Sequence, residues 1–234
     1  MKKHYILYHG SREAIEKPIF GKGKPYNDYG KGFYCTESVE LAKEWACTEK
    51  DDGFVNKYEL DAVGLSVLCL SGSGYTILNW LALLLANRTF TLSNPLAAQA
   101  KEYLLKEFSV AASDADIIIG YRADDSYFSF AEDFLNNTIS LSQLEHAMFL
   151  GKLGEQVVLM SKKAFEHITY KGNEKVERAI YFPKRAFRDT EARKDYLRTD
   201  KTSVQNAVNG LYVLDILRGG IKNDDARIQR IVSR

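Results

Sequence analysis

Four short segments carry the residue types from which a ligand site could be built. In Leu7-Tyr8-His9-Gly10-Ser11 an imidazole stands beside a glycine and a hydroxyl. Gly10 has no side chain, so a ligand amide could approach its main chain closely. In Tyr29-Gly30-Lys31-Gly32-Phe33-Tyr34-Cys35-Thr36 two glycines flank a lysine and two aromatic rings follow. Trp45 comes eleven residues after Tyr34. In Gly154-Glu155-Gln156-Val157-Val158-Leu159 an acid and an amide open an apolar run. Aromatic faces attract a cationic ring, and a fixed carboxylate opposes positive charge that develops during a reaction. Each piece alone also fits an ordinary role: a strand-end histidine, a glycine turn, a core tryptophan, a solvated strand edge. Glu155 and Gln156 are neighbours in a strand-like run, so only one of them can face a given cleft.

These residues need elements to hold them. Residues 4–9 are aromatic and branched and predict a first strand. Residues 12–29 hold Pro18, Gly21, Gly23 and Pro25 and predict a loop. Residues 32–35 predict a short strand. Thr36 then suits a helix N-cap, with Glu37 in the first turn and Trp45 on an apolar helical face. Strands are expected at 53–60, 65–69, 116–120, 156–160 and 176–182. Helices are expected at 76–88, at 95–108 with Asn94 as cap and Pro95 in its first turn, at 140–150, and as a turn at 162–167. From Pro183 onward the pattern is helical and charged, with Tyr196, Val204 and Val208 among its apolar positions. The sum is an α+β chain. We assign 1–182 to one domain with a helical insertion at about 72–108, and 183–234 to a helical extension packed on it.

Composition narrows the class. A chain of 234 residues with 45% hydrophobic and 27% charged residues has the balance of a soluble globular protein. A formal net charge of +1 gives no bulk attraction to nucleic acid or membrane. Cys35, Cys47 and Cys69 form no C-x-x-C pair, so neither a disulfide framework nor a metal site is expected. The start Met1-Lys2-Lys3-His4 has no apolar signal core, and the run at 77–86 is too short to span a bilayer. A cytoplasmic protein without membrane partners is expected. Arg185, Arg188, Arg193, Lys194, Arg198 and Lys201 in the tail are interspersed with acids. They read as a solvated helical face or as a docking surface.

The joint pattern resembles a known superfamily. Gly-Lys-Gly-Phe-Tyr at 30–34, with Glu37 three residues on and Trp45 eleven residues on, is similar to the second motif of the ADP-ribosyltransferases of the poly(ADP-ribose) polymerase and diphtheria-toxin branch. That branch carries a histidine-tyrosine-glutamate signature. His9-Gly10-Ser11 resembles its first motif and Glu155-Gln156 its third. A bacterial family within the superfamily is closer still. The resemblance there extends to Trp80-Leu81, Asn87-Arg88, Ala123-Asp124-Asp125 and Asp215-Ile216-Leu217-Arg218, and so covers most of the chain.

The resemblance implies a split β-sheet fold, NAD as co-substrate with no metal, and cleavage of the nicotinamide–ribose bond. His9 would bond the adenosine-side ribose. Gly10 and Ser11 would bond the nicotinamide carboxamide, beside Gly32. Tyr34 would pack on the nicotinamide ring, with Trp45 closing its other side. Glu155 is preferred as the carboxylate at the nicotinamide ribose, ahead of Gln156, although the bacterial family often carries glutamine there. ADP-ribose would pass to a protein or nucleic-acid acceptor, in the setting of a toxin or defence effector with an antitoxin partner. A degenerate NAD- or ADP-ribose-binding module without turnover and an NAD glycohydrolase are the alternatives. The basic set of an RNA 2′-phosphotransferase is not seen. Asp124 and Asp125, with Tyr121 and Arg122, read as solvated turn residues or as contacts to adenosine or acceptor.

Overall fold

The computed structural model describes residues 2–228 apart from 93, 124, 149, 151–153 and 203–209, and only the backbone of 125–127, 197 and 199–202. Asp124, Val204 and Val208, and the side chains of Asp125 and Lys201, therefore lie outside the described residues. The element order is β1 (His4–Ser11), β2 (Phe33–Cys35), α1 (Val39–Ala46), β3 (Gly53–Asp61), β4 (Val67–Cys69), α2 (Ile77–Asn87), α3 (Pro95–Glu107) and β5 (Ile117–Tyr121). There follow α4 (Asp125–Leu135), α5 (Leu141–Ala147), β6 (Glu155–Leu159), α6 (Lys162–Glu166), β7 (Ile168–Val176), α7 (Arg178–Thr202) and α8 (Val213–Arg218). The chain is thus a mixed α and β protein with two sheets.

One sheet has the order β1-β3-β7 and is antiparallel throughout. The other has the order β2-β6-β5-β4, with β4 and β5 parallel. Tyr5, Leu7, Tyr58 and Leu60 of the first meet Phe33, Cys35, Ile117, Ile119, Val157 and Leu159 of the second in one buried cluster. The alternate positions face outward, as the period of two requires. Val55 and Val176 pack against Ala42 and Ala46 of α1. Ile118 and Val158 pack into the largest cluster, built on α2, α3, α4, α5 and α8. The second sheet is covered on both faces, which is why β5 reads as an unbroken Ile117-Ile118-Ile119 run. The two sheets touch edge to edge at one bridge. Tyr8 donates its N–H to the Thr36 carbonyl at 2.8 Å, and Thr36 returns a bond to Tyr8 at 2.9 Å.

That bridge corrects one expectation. Thr36 does not cap α1, because its backbone is engaged with β1. Ser38 is the N-cap, its hydroxyl accepting from the Leu41 N–H at 3.3 Å, and Glu37 lies before the helix. The expected strand at 176–182 is also corrected. The strand is β7, ending at Val176, and the chain turns into α7 at Arg178. Among the described residues β7 pairs only with β3, and most of its side chains are exposed, so Lys171, Gly172, Asn173, Glu174 and Lys175 give no apolar alternation to read. The boundary placed at 182/183 falls inside α7. Helix α4 lay outside the expected set. α7 is fastened to α1. The Arg188 guanidinium donates to both oxygens of the buried Glu44 carboxylate, at 2.9 and 2.6 Å, and Lys184 reaches Glu40 at 3.3 Å. Such a fork aligns two donors with two acceptors and fixes the helix–helix register.

Gly10 shows how tightly α1 sits on the first sheet. A Cβ there would lie 2.1 Å from the Ala42 carbonyl oxygen and 2.6 Å from the Ala46 nitrogen. The missing side chain thus makes room for the helix that carries Trp45. Overpacking against backbone cannot be relieved by a rotamer change, so Gly10→Ala should lower stability by about 3 kcal/mol or more. A fall in the urea midpoint with an unchanged slope would show it, and an unchanged midpoint would refute this packing.

Candidate active site

The motif residues converge because of strand parity. Tyr34 pairs with Val158 across β2 and β6, and both take part in the helix-side cluster. Gln156, two residues from Val158, must share that face. It is 4% exposed, whereas Glu155 is exposed at the strand end. The preference for Glu155 over Gln156 is therefore corrected. Gln156 lines a cavity of about 830 Å³ together with His9, Gly10, Ser11, Gly32, Tyr34 and Trp45, and Glu155 does not. A cavity of this size lies within the usual range for small-molecule and cofactor sites.

His9 is half-buried near the end of β1, and its ring packs on Phe33 with centroids 4.4 Å apart. Its Nδ1 is 2.6 Å from the Tyr34 carbonyl oxygen. A carbonyl can only accept, so Nδ1 carries the proton and Nε2 is left as an acceptor. Asn56, fully buried opposite His9 on β3, donates to the His9 carbonyl at 3.2 Å and to Ser11 Oγ at 2.8 Å. Ser11 donates its own proton to the Glu13 carbonyl at 2.6 Å. Ser11 thus anchors the loop that follows and offers a ligand only a lone pair. The same Asn56 accepts from the Ile15 N–H at 2.7 Å, and Tyr58 donates to the Ile15 carbonyl, which ties the 12–29 loop to β3.

The phenol of Tyr34 is fully engaged. It donates to the Gly30 carbonyl at 2.7 Å and accepts from the Tyr29 N–H at 3.0 Å. Burial pushes its pKa up, so it stays a neutral phenol. Only the ring face is left for a ligand. Gly30 has φ +78°, and a Cβ there would meet Asn87 Oδ1 at 2.7 Å. The turn before Tyr34 therefore depends on a residue that tolerates the left-handed region. Trp45 does not stand bare, because the Arg122 guanidinium lies 3.9 Å from its ring centroid. One face of the expected ring clamp is thus already occupied by a cation.

Sequence reading passed over Asp28, which sits in the loop and is 5% exposed. Its Oδ2 accepts from the Ala123 N–H and from Gln156 Nε2, both at 3.0 Å. Its Oδ1 lies 3.5 Å from Arg88. Burial raises the Asp28 pKa. The Ala123 N–H, the Gln156 amide, and then Arg88 and Arg122 pull it back. Trp80 donates to the Tyr121 carbonyl and to the Tyr29 hydroxyl, each at 3.1 Å. Asn87 donates to the Leu83 carbonyl at 2.9 Å and touches the Asp28 carbonyl at 3.5 Å. The residues Trp80, Asn87, Arg88 and Ala123, singled out by resemblance without an assigned role, thus all support the stretch 28–30. No sequence signal marks Asp28, because its burial comes from partners far away in the chain.

Charge is concentrated at the cavity. Arg12, Lys17, Lys22, Lys24, Arg88, Arg122 and Arg185 line it, against the carboxylates Glu13 and Asp28. In a chain of net charge +1 this is a local excess that favours an anionic ligand. Among the described residues no group of three or more His, Cys, Asp or Glu could hold a metal ion. No described helix is long and apolar enough to cross a membrane.

Residues 5–170 match a family described as "Protein of unknown function (DUF3990)". The chain belongs to this family. No curated protein and no solved structure matches it. The family segment contains every cavity-lining residue except Arg185, which α7 contributes from beyond it.

Burial pushes the His9 pKa below its ordinary value of 6.5, opposed by the bond to Tyr34. Between the lowered folded value and 6.5 the unfolded chain binds a proton that the folded chain does not. Stability therefore rises with pH within that window, and the His9 contribution levels off on either side of it. The urea midpoint should decline as pH is lowered from neutral through that window, and the decline should be shallower in His9→Gln. Parallel curves for the two proteins would refute a buried neutral imidazole.

Proposed function

We propose that the protein is an NAD-dependent ADP-ribosyltransferase. The observation that carries the reading is the convergence of His9, Gly10, Tyr34, Trp45 and Gln156, from four separate elements, on one cavity. The residues present fit NAD chemically. The basic lining suits a pyrophosphate. The acceptor Nε2 of His9 suits a ribose hydroxyl. The main chain at Gly10 suits a carboxamide, and the Tyr34 ring suits the cationic nicotinamide. Aromatic contact of that kind is worth about 0.5–2 kcal/mol.

In the proposed reaction the bond between the nicotinamide nitrogen and the ribose carbon breaks. The electron pair leaves with nicotinamide, which departs as a neutral amide. The ribose carbon becomes oxocarbenium-like, as in glycoside cleavage. An acceptor hydroxyl or amine then bonds to that carbon and loses its proton. Because Gln156 is neutral, the protein's part is chiefly to hold ring and ribose in reactive geometry. The acceptor is a macromolecule in this reading, and the setting is a cytoplasmic toxin or defence effector held by an antitoxin partner.

The amide at Gln156 favours one second reading, a module that holds NAD or ADP-ribose without turnover. Purified protein incubated with NAD distinguishes the two. A transferase releases nicotinamide and labels a component of a cell lysate, whereas a binding module gives saturable binding by calorimetry and no nicotinamide. Tyr34→Ala and Gln156→Ala should each slow release by about tenfold or more, as expected for a lost transition-state contact. Glu155→Ala should leave it unchanged. Release at the wild-type rate in Gln156→Ala, or its loss in Glu155→Ala, would refute this assignment.

A further inference from the structure

We propose that Asp28 is a positioning residue that locks the Gln156 amide with its carbonyl oxygen toward the ligand, so that a glutamine performs the acceptor part of a glutamate. This inference rests on the ADP-ribosyl-transfer reading and deepens it.

An amide has two unlike ends, and either can face a cleft unless something decides. Here the decision is chemical. Asp28 Oδ2 lies 3.0 Å from the Gln156 side chain, and a carboxylate can only accept. The NH₂ end must therefore point at Asp28, and Oε1 is turned away from it. Among the described residues Oε1 makes no hydrogen bond, and Gln156 lines the cavity. A ribose hydroxyl there would find an acceptor, as it would at a glutamate.

Asp28 is itself over-determined. The Ala123 N–H donates to the same Oδ2, so that oxygen has two donors and no room for a proton between them. Arg88 stands at 3.5 Å from the other oxygen. The three contacts come from the ends of β5, β6 and α2, elements that pack as one core. The carboxylate cannot rotate without losing all of them.

Asp28→Leu keeps the bulk and removes the acceptor. Nothing then holds the NH₂ end of Gln156, and either end of the amide can face the ribose. The double variant Asp28→Leu, Gln156→Glu removes that choice. Both oxygens of a glutamate accept, so neither orientation is wrong. The measurements are kcat and KM for nicotinamide release, the thermal midpoint, and the side-chain amide resonances of Gln156.

Asp28→Leu should lower kcat by about tenfold or more with a smaller change in KM, and should move the Gln156 amide resonances. The double variant should recover kcat to within about threefold of wild type, a rescue that a merely structural acid would not show. Gln156→Glu alone should make release pH-dependent, because two carboxylates about 3 Å apart share a proton. Wild-type kcat in Asp28→Leu, or a loss of activity that Gln156→Glu does not reverse, overturns the role of Asp28 and leaves the transferase reading standing. No NAD cleavage by the wild-type protein overturns both, whatever the amide resonances do.

Discussion

A carboxylate taken out of water is stable only if its oxygens keep strong partners, and Asp28 imposes that requirement on this molecule. Its partners arrive from three directions: Ala123 after β5, Gln156 at the start of β6 and Arg88 after α2. Losing one partner of such a buried pair typically costs about 3–5 kcal/mol. The contacts therefore constrain where the 12–29 loop can lie. That loop lines the cavity, so the same constraint shapes the site. Tyr29, next in sequence, is fixed by Trp80 and Tyr121, and Tyr34 is fixed by Tyr29 and Gly30. A line of hydrogen bonds thus runs from the helical core to the aromatic face in the cavity.

The sheets supply the other half of the frame. They pack face to face through Leu7, Tyr58, Val157 and their neighbours, and among the described residues they meet at an edge through Tyr8 and Thr36. The cavity residues come from beside that junction, with His9 and Gly10 on one sheet and Tyr34 and Gln156 on the other. Asn56 closes the arrangement from below, with every polar end of its amide in use. A buried amide with all its bonds made is rigid, so His9 and Ser11 have little freedom. The chain places binding groups on strands and lets a loop complete the enclosure.

The tail has a defined relation to this frame. α7 packs on α1 through the Glu44–Arg188 fork, and Arg185 reaches the cavity from it. Glu44 is nearly fully buried, and Trp45 follows it on the same helix. Orientation of Trp45 is therefore tied to α7, a helix outside the family segment. The charges that balance to +1 along the chain are sorted in space, with the basic excess at the cavity.

Local features were legible because local physics produces them. Asn94 caps α3 as its side chain and Pro95 suggest. The apolar run from Ile77 forms α2, and the branched residues at 117–119 form a strand covered on both faces. The motif residues at 9–11, 34, 45 and 155–156 could be picked out by type, spacing and resemblance, with Glu155 preferred over Gln156. β7 could not, because its 171–175 stretch is polar and largely exposed at a sheet edge. The sequence by itself determined that Glu155 and Gln156 point to opposite faces, since side chains alternate along any strand. Only the tertiary structure decided which of them meets the cavity, because that depends on how β6 is seated between β2 and β5. It also decided that Asp28 is buried, since the three groups that keep its charge stable are brought to it from distant parts of the chain.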